Sequence, residues 1–375
     1  MSALRPLLTF GTRPEAIKMA PVVQECLRRD DVEPVICLSG QHKEMLKQVT
    51  DYFGIVADLD LELMRPNQTL AQITGRCING IDEALERFKP DCIVAQGDTT
   101  TVMSAAIAAF YRHVPFVHVE AGLRTGNLQA PWPEEFNRRV ASIVTALHCA
   151  PTGRAADNLR AEHVDPATIH VTGNTVIDAL LWTVARERDE SRGWAEKYAF
   201  LGDDRVVLIT GHRRENFGGG FQEMCGAIAE LAGQFAGVRF VYPVHLNPNV
   251  QKPVHEILGR LDNVHLLEPC PYPEFVWLMD RSTLILTDSG GVQEEAPSLY
   301  KPILVMRETT ERPEALDAGA VELVGTSRER IVGSVTRLLT DADEYSRRQI
   351  EVNPYGDGQS ARRIVDLMTQ QGWSS

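Results

Sequence analysis

The stretch Ile285–Pro297 reads ILTDSGGVQEEAP. An apolar run, Leu284 to Leu286, stops at Thr287-Asp288-Ser289-Gly290-Gly291, and a helix-compatible Val292–Ala296 begins at once. A strand that turns directly into a helix leaves bare backbone N–H groups at the helix start. The two glycines let an anion come close to that backbone, and the helix dipole favours negative charge there. Ser289 serves either as the helix cap or as a hydroxyl donor to a phosphate. Glu295, further along, has the geometry to accept from a diol such as a ribose. An ordinary strand, turn and helix with a serine cap has the same pattern, so the stretch gains weight only from its surroundings.

Working outward, the same alternation recurs. Val206–Thr210 reads as a strand ending in Gly211-His212-Arg213-Arg214-Glu215-Asn216, with a helix over Phe221–Leu231. Val238–Pro243 is a strand with His245 just beyond it. Val264–Leu267 and Pro302–Val305 follow, the latter ending at Met306-Arg307. In the first half, Pro6–Phe10 ends in Gly11-Thr12-Arg13-Pro14-Glu15 before a helical AIKMAPVVQECLRR. Asp91–Ala95 ends in Gln96-Gly97-Asp98, and Pro115–Val119 ends in Glu120-Ala121-Gly122. Strands alternating with helices predict an α/β fold with parallel sheets. Polar residues gather after the strand ends, where open α/β sheets take their ligands. The expected fold is two doubly wound, Rossmann-like domains facing a cleft, which suits a ligand with two parts. Gly173-Asn174 marks the boundary.

The totals bound the function. A chain of 375 residues, 43% hydrophobic and 24% charged, is an ordinary soluble globular composition for two domains or one large one. A net charge of −13 argues against nucleic acid as a partner, but leaves room for a small anionic ligand held by a few local cations. The seven cysteines form no C-x-x-C pair, which fits reduced thiols in a cytoplasmic protein better than disulfides or a zinc site. No signal peptide is evident, and the longest apolar candidate, Ile93–Phe110, is broken by Gln96, Gly97, Asp98 and three threonines, so no membrane partner is expected.

Asp98, Glu120 and Glu134 are the candidate acid–base residues. Each has a plain local role open to it: a turn or helix cap, a solvated loop charge, a first-turn partner of the helix dipole. Loops after successive strands of one sheet converge, however, and carboxylates paired in a closed pocket can divide acid and base roles between them. His212, flanked by Arg213 and Arg214, is placed for phosphate contact or general acid work. His212 and Glu215 lack zinc-ligand spacing, so no metal is expected. Arg307 and Arg312, with Glu311 and Glu314, form either an ion-pair network or a phosphate clamp. Arg13 and Lys18 lie just past the first strand.

Ten motifs occur in order: FGTRPEAIKMAP (Phe10–Pro21), GDTTT (Gly97–Thr101), HVEAGLRTG (His118–Gly126), PWPEEFNR (Pro131–Arg138), TGNTVIDAL (Thr172–Leu180), TGHRREN (Thr210–Asn216), PVHLNP (Pro243–Pro248), LTDSGGVQEEAP (Leu286–Pro297), TTERPEA (Thr309–Ala315) and NPYGDG (Asn353–Gly358). Nearly end to end, the chain resembles the non-hydrolysing UDP-N-acetylglucosamine 2-epimerases. That resemblance implies the GT-B architecture: residues 1–171 plus a returning helix at 359–375 as the first domain, and 172–358 as the nucleotide-binding second. It implies interconversion of UDP-GlcNAc and UDP-ManNAc without a cofactor, in a homodimer, by elimination of UDP to 2-acetamidoglucal and re-addition. Asp98, Glu120 and Glu134 then look like the acid–base carboxylates and His212 like the partner of the departing phosphate. Arg13 and Lys18 reach from the first domain. Ser289, Gly290 and Gly291 cradle the diphosphate, Glu295 takes the ribose, Arg312 clamps, and Phe275 with the main chain near Cys270 holds the uracil. Relatives carry glutamine at the Cys270 position, which is a departure. Gln41, His42, Gln68, Arg213 and His245 match in part a regulatory site for a second UDP-GlcNAc.

Three rivals share features. A GT-B glycosyltransferase predicts transfer to an acceptor, a hydrolysing epimerase predicts release of free ManNAc, and a binding module predicts saturation without turnover.

Overall fold

The computed structural model describes residues 3–40, 43–189 and 192–373. The chain divides into two compact units, Met1–Ala179 with Tyr355–Ser375, and Leu180–Pro354.

In the first unit the elements run β1 (Pro6–Phe10), α1 (Arg13–Leu27), β2 (Val35–Leu38), α2 (Lys43–Tyr52), β3 (Leu59–Asp60), α3 (Leu70–Phe88), β4 (Cys92–Gln96), α4 (Thr100–Tyr111), β5 (Phe116–Val119), α5 (Glu134–Val144), β6 (Thr145–Ala150), α6 (Gly153–Ala161) and β7 (Ile169–Val171), with α7 (Thr175–Asp189) leading out. The sheet is parallel throughout, in the order β3-β2-β1-β4-β5-β6-β7. Strands β1, β2, β4 and β5 are buried along their whole length, as a parallel sheet covered on both faces requires. The small residues of α4, including Ala105, Ala106, Ala108 and Ala109, are fully buried, so this helix packs close to its neighbours. Helix α3 starts at a reciprocal cap between Thr69 and Gln72 and stops at Lys89, whose backbone turns left-handed just before Pro90.

The second unit continues with α8 (Arg192–Lys197), β8 (Arg205–Thr210), α9 (Gly219–Gln234), β9 (Val238–Pro243), α10 (Pro248–Leu258), β10 (Val264–Leu267), α11 (Tyr272–Arg281), β11 (Leu284–Thr287), α12 (Gly290–Glu295), β12 (Ile303–Val305), α13 (Pro313–Asp317), β13 (Val321–Leu323), α14 (Arg328–Thr340) and α15 (Ala342–Arg347). Its parallel sheet has the order β10-β9-β8-β11-β12-β13. Phe221, Phe240, Tyr242, Leu284 and Ile331 belong to its core.

Both sheets reverse direction of winding at one place, between β1 and β4 and between β8 and β11. Such a switch point parts the two loops that follow the strands and opens a crevice there.

The last helix, α16 (Ser360–Gln370), returns to the first unit, burying Ile364, Val365 and Met368. Arg29, just past the end of α1, pairs with Asp366 at 2.5 Å. The division falls after Ala179 and before Tyr355, whereas the sequence places it after Val171 and before Gln359. The reason is local. Gly173, with φ 88°, leaves room only for a hydrogen beside Ser360, and Asn174 N donates to Tyr355 O at 2.7 Å. The start of α7 is thereby tied into the first unit. Strand β3 has two residues, too few to give a periodic signal. Among the described residues, no helix is long and apolar enough to cross a membrane.

Candidate active site

In the first unit Asp98 and Glu120 lie just past the C-terminal ends of β4 and β5, and Glu134 opens α5, the helix whose Asn137 and Arg138 reach Asp98. Gly97 and Glu120 follow directly on paired residues of these strands, Gln96 and Val119. Glu120 is buried and takes φ 64°, a left-handed backbone that a non-glycine residue holds only at a cost of roughly 1–3 kcal/mol. Its carboxylate receives Lys18 Nζ at 2.6 and 2.9 Å, Asn174 Nδ2 at 3.0 Å and the amide of Gln96. Asp98 is half-buried. Arg138 pairs with its carboxylate, and Asn137 Nδ2 donates to its carbonyl at 2.9 Å. Asn137 and Arg138 are the fourth and fifth residues of α5, which Glu134 opens. One oxygen of Glu134, Oε2, is buried and accepts no hydrogen bond. The neighbouring Glu135 is spent on structure, accepting from Thr125 N at 3.0 Å and from Arg138 and Arg139. Arg13 is half-buried at the start of α1.

Two residues of this corner escape the sequence reading. Glu15 is buried and accepts from Gly11 N at 3.0 Å, Thr12 N at 2.7 Å and Thr99 Oγ1 at 2.6 Å. It closes a reciprocal cap with Thr12 while joining the loops after β1 and β4 across the switch point. Burial pushes its carboxyl up, against the hydrogen bonds that pull it down. The Thr12-x-x-Glu15 spacing is the signal that finds it. His118, fully buried, holds Gly97 O at 2.7 Å from Nε2, and burial brings its pKa down to about 3, so it stays neutral. It fixes the turn that presents Asp98.

In the second unit, His212 and the 287–291 turn sit at the corresponding switch point. Ser289 is the N-cap of α12, yet its side chain makes no capping bond, so its hydroxyl is left for other work. A Cβ on Gly291 would lie 3.8 Å from Glu295 Oε2, which places that carboxylate back along the helix toward the turn. Glu295 also accepts from Tyr272 OH at 3.2 Å. The buried Asp288 joins the two loops as Glu15 does in the first unit, accepting from His212 N at 2.9 Å and Arg213 N at 2.8 Å. The His212 ring stacks on His245, centroids 5.5 Å apart at 17°. Burial lowers the His212 pKa, and Asp288 opposes it.

The basic–acidic cluster resolves into two parts. Arg307 is buried and pairs with Glu215 and Glu311, each at 2.7 Å. Burial alone pushes the Glu311 carboxyl up, but Arg307 outweighs it and holds the group at about 2. That part is an ion-pair network. Arg312, on the same loop, pairs with Glu294, the neighbour of Glu295. Phe275 is half-buried on α11. Cys270 is half-buried, with Sγ 3.6 Å from Glu268 O and its thiol pushed up to about 12 by burial, so it is no thiolate. The other six cysteines are free and buried.

Of the expected regulatory residues, Gln41 and His42 lie outside the described residues. Gln68 ties its own loop, accepting from Arg65 N at 2.7 Å and donating to Leu63 O at 2.9 Å. Arg213 and His245 both adjoin His212. Arg213 Nη1 lies 3.8 Å from Glu311 Oε1, and His245 Nδ1 accepts from Asn247 N at 3.1 Å.

Two Rossmann-like parallel sheets, with carboxylates at one switch point and a histidine beside an open strand-to-helix turn at the other, define an α/β enzyme of the GT-B class. A family model described as UDP-N-acetylglucosamine 2-epimerase matches residues 24–369, and the chain belongs to that family, whose members are isomerases. It is 53% identical to the UDP-N-acetylglucosamine 2-epimerase of Yersinia pestis over 97% of this chain and 98% of that one. It is 52% identical to the Escherichia coli K12 enzyme, with the same coverage. The solved UDP-GlcNAc 2-epimerase of Neisseria meningitidis bound to UDP-GlcNAc superposes with a TM-score of 0.91 at 47% identity, covering 98% of this chain and all of that one. The Methanocaldococcus jannaschii enzyme in complex with UDP-GlcNAc and UDP gives 0.81 at 30% identity, with 98% and 100% covered.

Proposed function

We propose that this protein interconverts UDP-GlcNAc and UDP-ManNAc by letting UDP go and taking it back. The C2 proton of the sugar has no carbonyl beside it, so direct abstraction to an enolate is closed. In the elimination, a carboxylate removes the C2 proton as the C1–O bond to UDP breaks, and the electron pair forms the C1=C2 bond of 2-acetamidoglucal. In the return, a proton reaches C2 on the opposite face and the diphosphate oxygen re-forms its bond to C1. Electrons balance without an oxidant.

The observation that carries this reading is that Asp98 and Glu120 follow the neighbouring strands β4 and β5 while Glu134 opens the helix that pairs with Asp98, each carboxylate in a different electrostatic setting. Asp98 is paired with Arg138, Glu120 with Lys18, and Glu134 has an oxygen buried without a donor. Groups held so differently can divide acid and base duties. Arg13 and Lys18 serve the sugar nucleotide from the first unit. Ser289, Gly290, Gly291 and Arg312 take the diphosphate, Glu295 the ribose, Phe275 and the main chain at Cys270 the uracil, and His212 the departing phosphate.

Proton NMR of UDP-GlcNAc with the enzyme in heavy water tests it. Deuterium is expected at C2 with the nucleotide still attached. Turnover with no deuterium in the hexose refutes the elimination, and free ManNAc as the product points to the hydrolysing reaction.

Family likeness also supports a homodimer, for which the exposed Phe110, Tyr111, Phe136 and Ile143 on α4 and α5 offer an apolar surface. Light scattering reads its mass. A regulatory second UDP-GlcNAc beside Arg213 and His245 predicts a sigmoidal rate against UDP-GlcNAc; a hyperbolic curve from UDP-ManNAc with no lag counts against it.

A further inference from the structure

Asp288 ends β11 and has so far only a structural part. Its side chain is fully buried. Oδ2 is engaged by the backbone N–H groups of His212 and Arg213, with Asn216 Nδ2 at 3.4 Å. Oδ1 is different: it is buried and accepts no hydrogen bond, while His212 Nδ1 lies 3.4 Å from it. A buried carboxylate oxygen without a donor carries the cost of its lost hydration, so a proton on the facing nitrogen is favoured. Pinning Oδ2 leaves the carboxylate no freedom to turn elsewhere.

We propose that Asp288 is the counter-ion and positioning residue of His212. Its Oδ1 takes the Nδ1–H, fixes the orientation of the ring and favours its protonated form, which presents Nε2–H to an anionic oxygen of the diphosphate. The identity of that anion rests on the function proposed above; the pair itself does not. As C1–O breaks, charge grows on the departing oxygen, and a fixed donor at that place is stronger there than toward the ester it replaces.

The groups facing the His212 ring are Asp288 from the end of β11, His245 stacked from beyond β9, and Arg213 on its own loop. His245 and Arg213 oppose the charged ring, as burial does, and Asp288 alone favours it. Nδ1 of His245 is occupied in accepting from Asn247 N, so it does not compete for Oδ1.

The test is nitrogen-15 NMR of histidine-labelled protein without substrate, the His212 signals assigned by their loss in His212→Gln. The neutral form of His212 is expected to keep its proton on Nδ1. In Asp288→Asn the His212 pKa is expected to fall by about one unit or more, the scale on which an adjacent opposite charge acts. Above that pKa the imidazolium fraction falls about ten-fold per unit, so kcat drops by about that factor with little change in KM. A wild-type neutral ring protonated on Nε2 overturns the proposal, whether or not the variant folds. So does an unmoved His212 pKa in a variant with wild-type melting. Wild-type protein with the expected tautomer but no turnover of UDP-GlcNAc instead refutes the proposed function and leaves the pair standing.

Discussion

Nζ of Lys18 lies 2.6 Å from Oε1 of Glu120, across 102 residues of sequence. The lysine side chain is 16% exposed and the glutamate 4%, so the pair is largely desolvated. Removing one partner of such a pair leaves an uncompensated buried charge, which costs about 3–5 kcal/mol. Lys18→Met is therefore expected to lower unfolding free energy toward that range in urea titrations. Lys18→Met with Glu120→Gln should recover much of the loss, because the orphaned charge goes with it. Equal instability in the single and double variants would mean the pair contributes through packing alone.

Glu134 offers the opposite combination. Its buried oxygen has no hydrogen bond to lose. Glu134→Gln is expected to leave stability within about 0.5 kcal/mol and to lower kcat by about 100-fold or more, the scale of general acid–base catalysis. Thermal melts and steady-state rates on the same preparation check both halves. Full activity removes Glu134 from the catalytic set.

The buried histidines make stability depend on pH. Burial holds His118 at about 3 and His148 at about 4, against an ordinary 6.5. Below pH 6.5 the unfolded chain takes up protons that these two sites refuse. Stability is thus fully present above 6.5 and falls as the pH drops toward 4, by about 1.4 kcal/mol per unit for each group. Urea midpoints at pH 7.5 and 5.5 should differ accordingly, and His148→Gln should remove roughly half of the difference.

Gly122 has φ 90°, and a Cβ there would sit 2.2 Å from the backbone oxygen of Ala155. Backbone strain and overpacking each cost about 1–3 kcal/mol. Gly122→Ala is expected to lose about 3 kcal/mol or more, and to disturb Glu120 two residues away. A wild-type melting temperature would show that α6 yields.

The fold is legible because its signals are local. Apolar runs such as Pro6–Phe10, Val238–Pro243 and Val264–Leu267 coincide with the strands to the residue. The polar residues after β4, β5, β8 and β11 are legible for the same reason, since each follows its own strand. What joins them is not local. Glu15 reaches Thr99 over 84 residues and Asp288 reaches His212 over 76. Those bonds depend on β1 lying beside β4 and β8 beside β11, and strand order leaves no periodic trace in a sequence. Read alone, Asp288 is one more polar residue in a turn. Arg307 illustrates the converse: its charge leaves a phosphate clamp and an ion-pair network equally open until Glu215 and Glu311 are found on it.

The return of α16 to α1 has a consequence for birth on the ribosome. Residues 180–354 emerge complete while the first unit still lacks the helix that seals α1. The part of the polypeptide made first is therefore the last to be finished, and until translation reaches Ile364, Val365 and Met368 the apolar surface they cover stays open to chaperones.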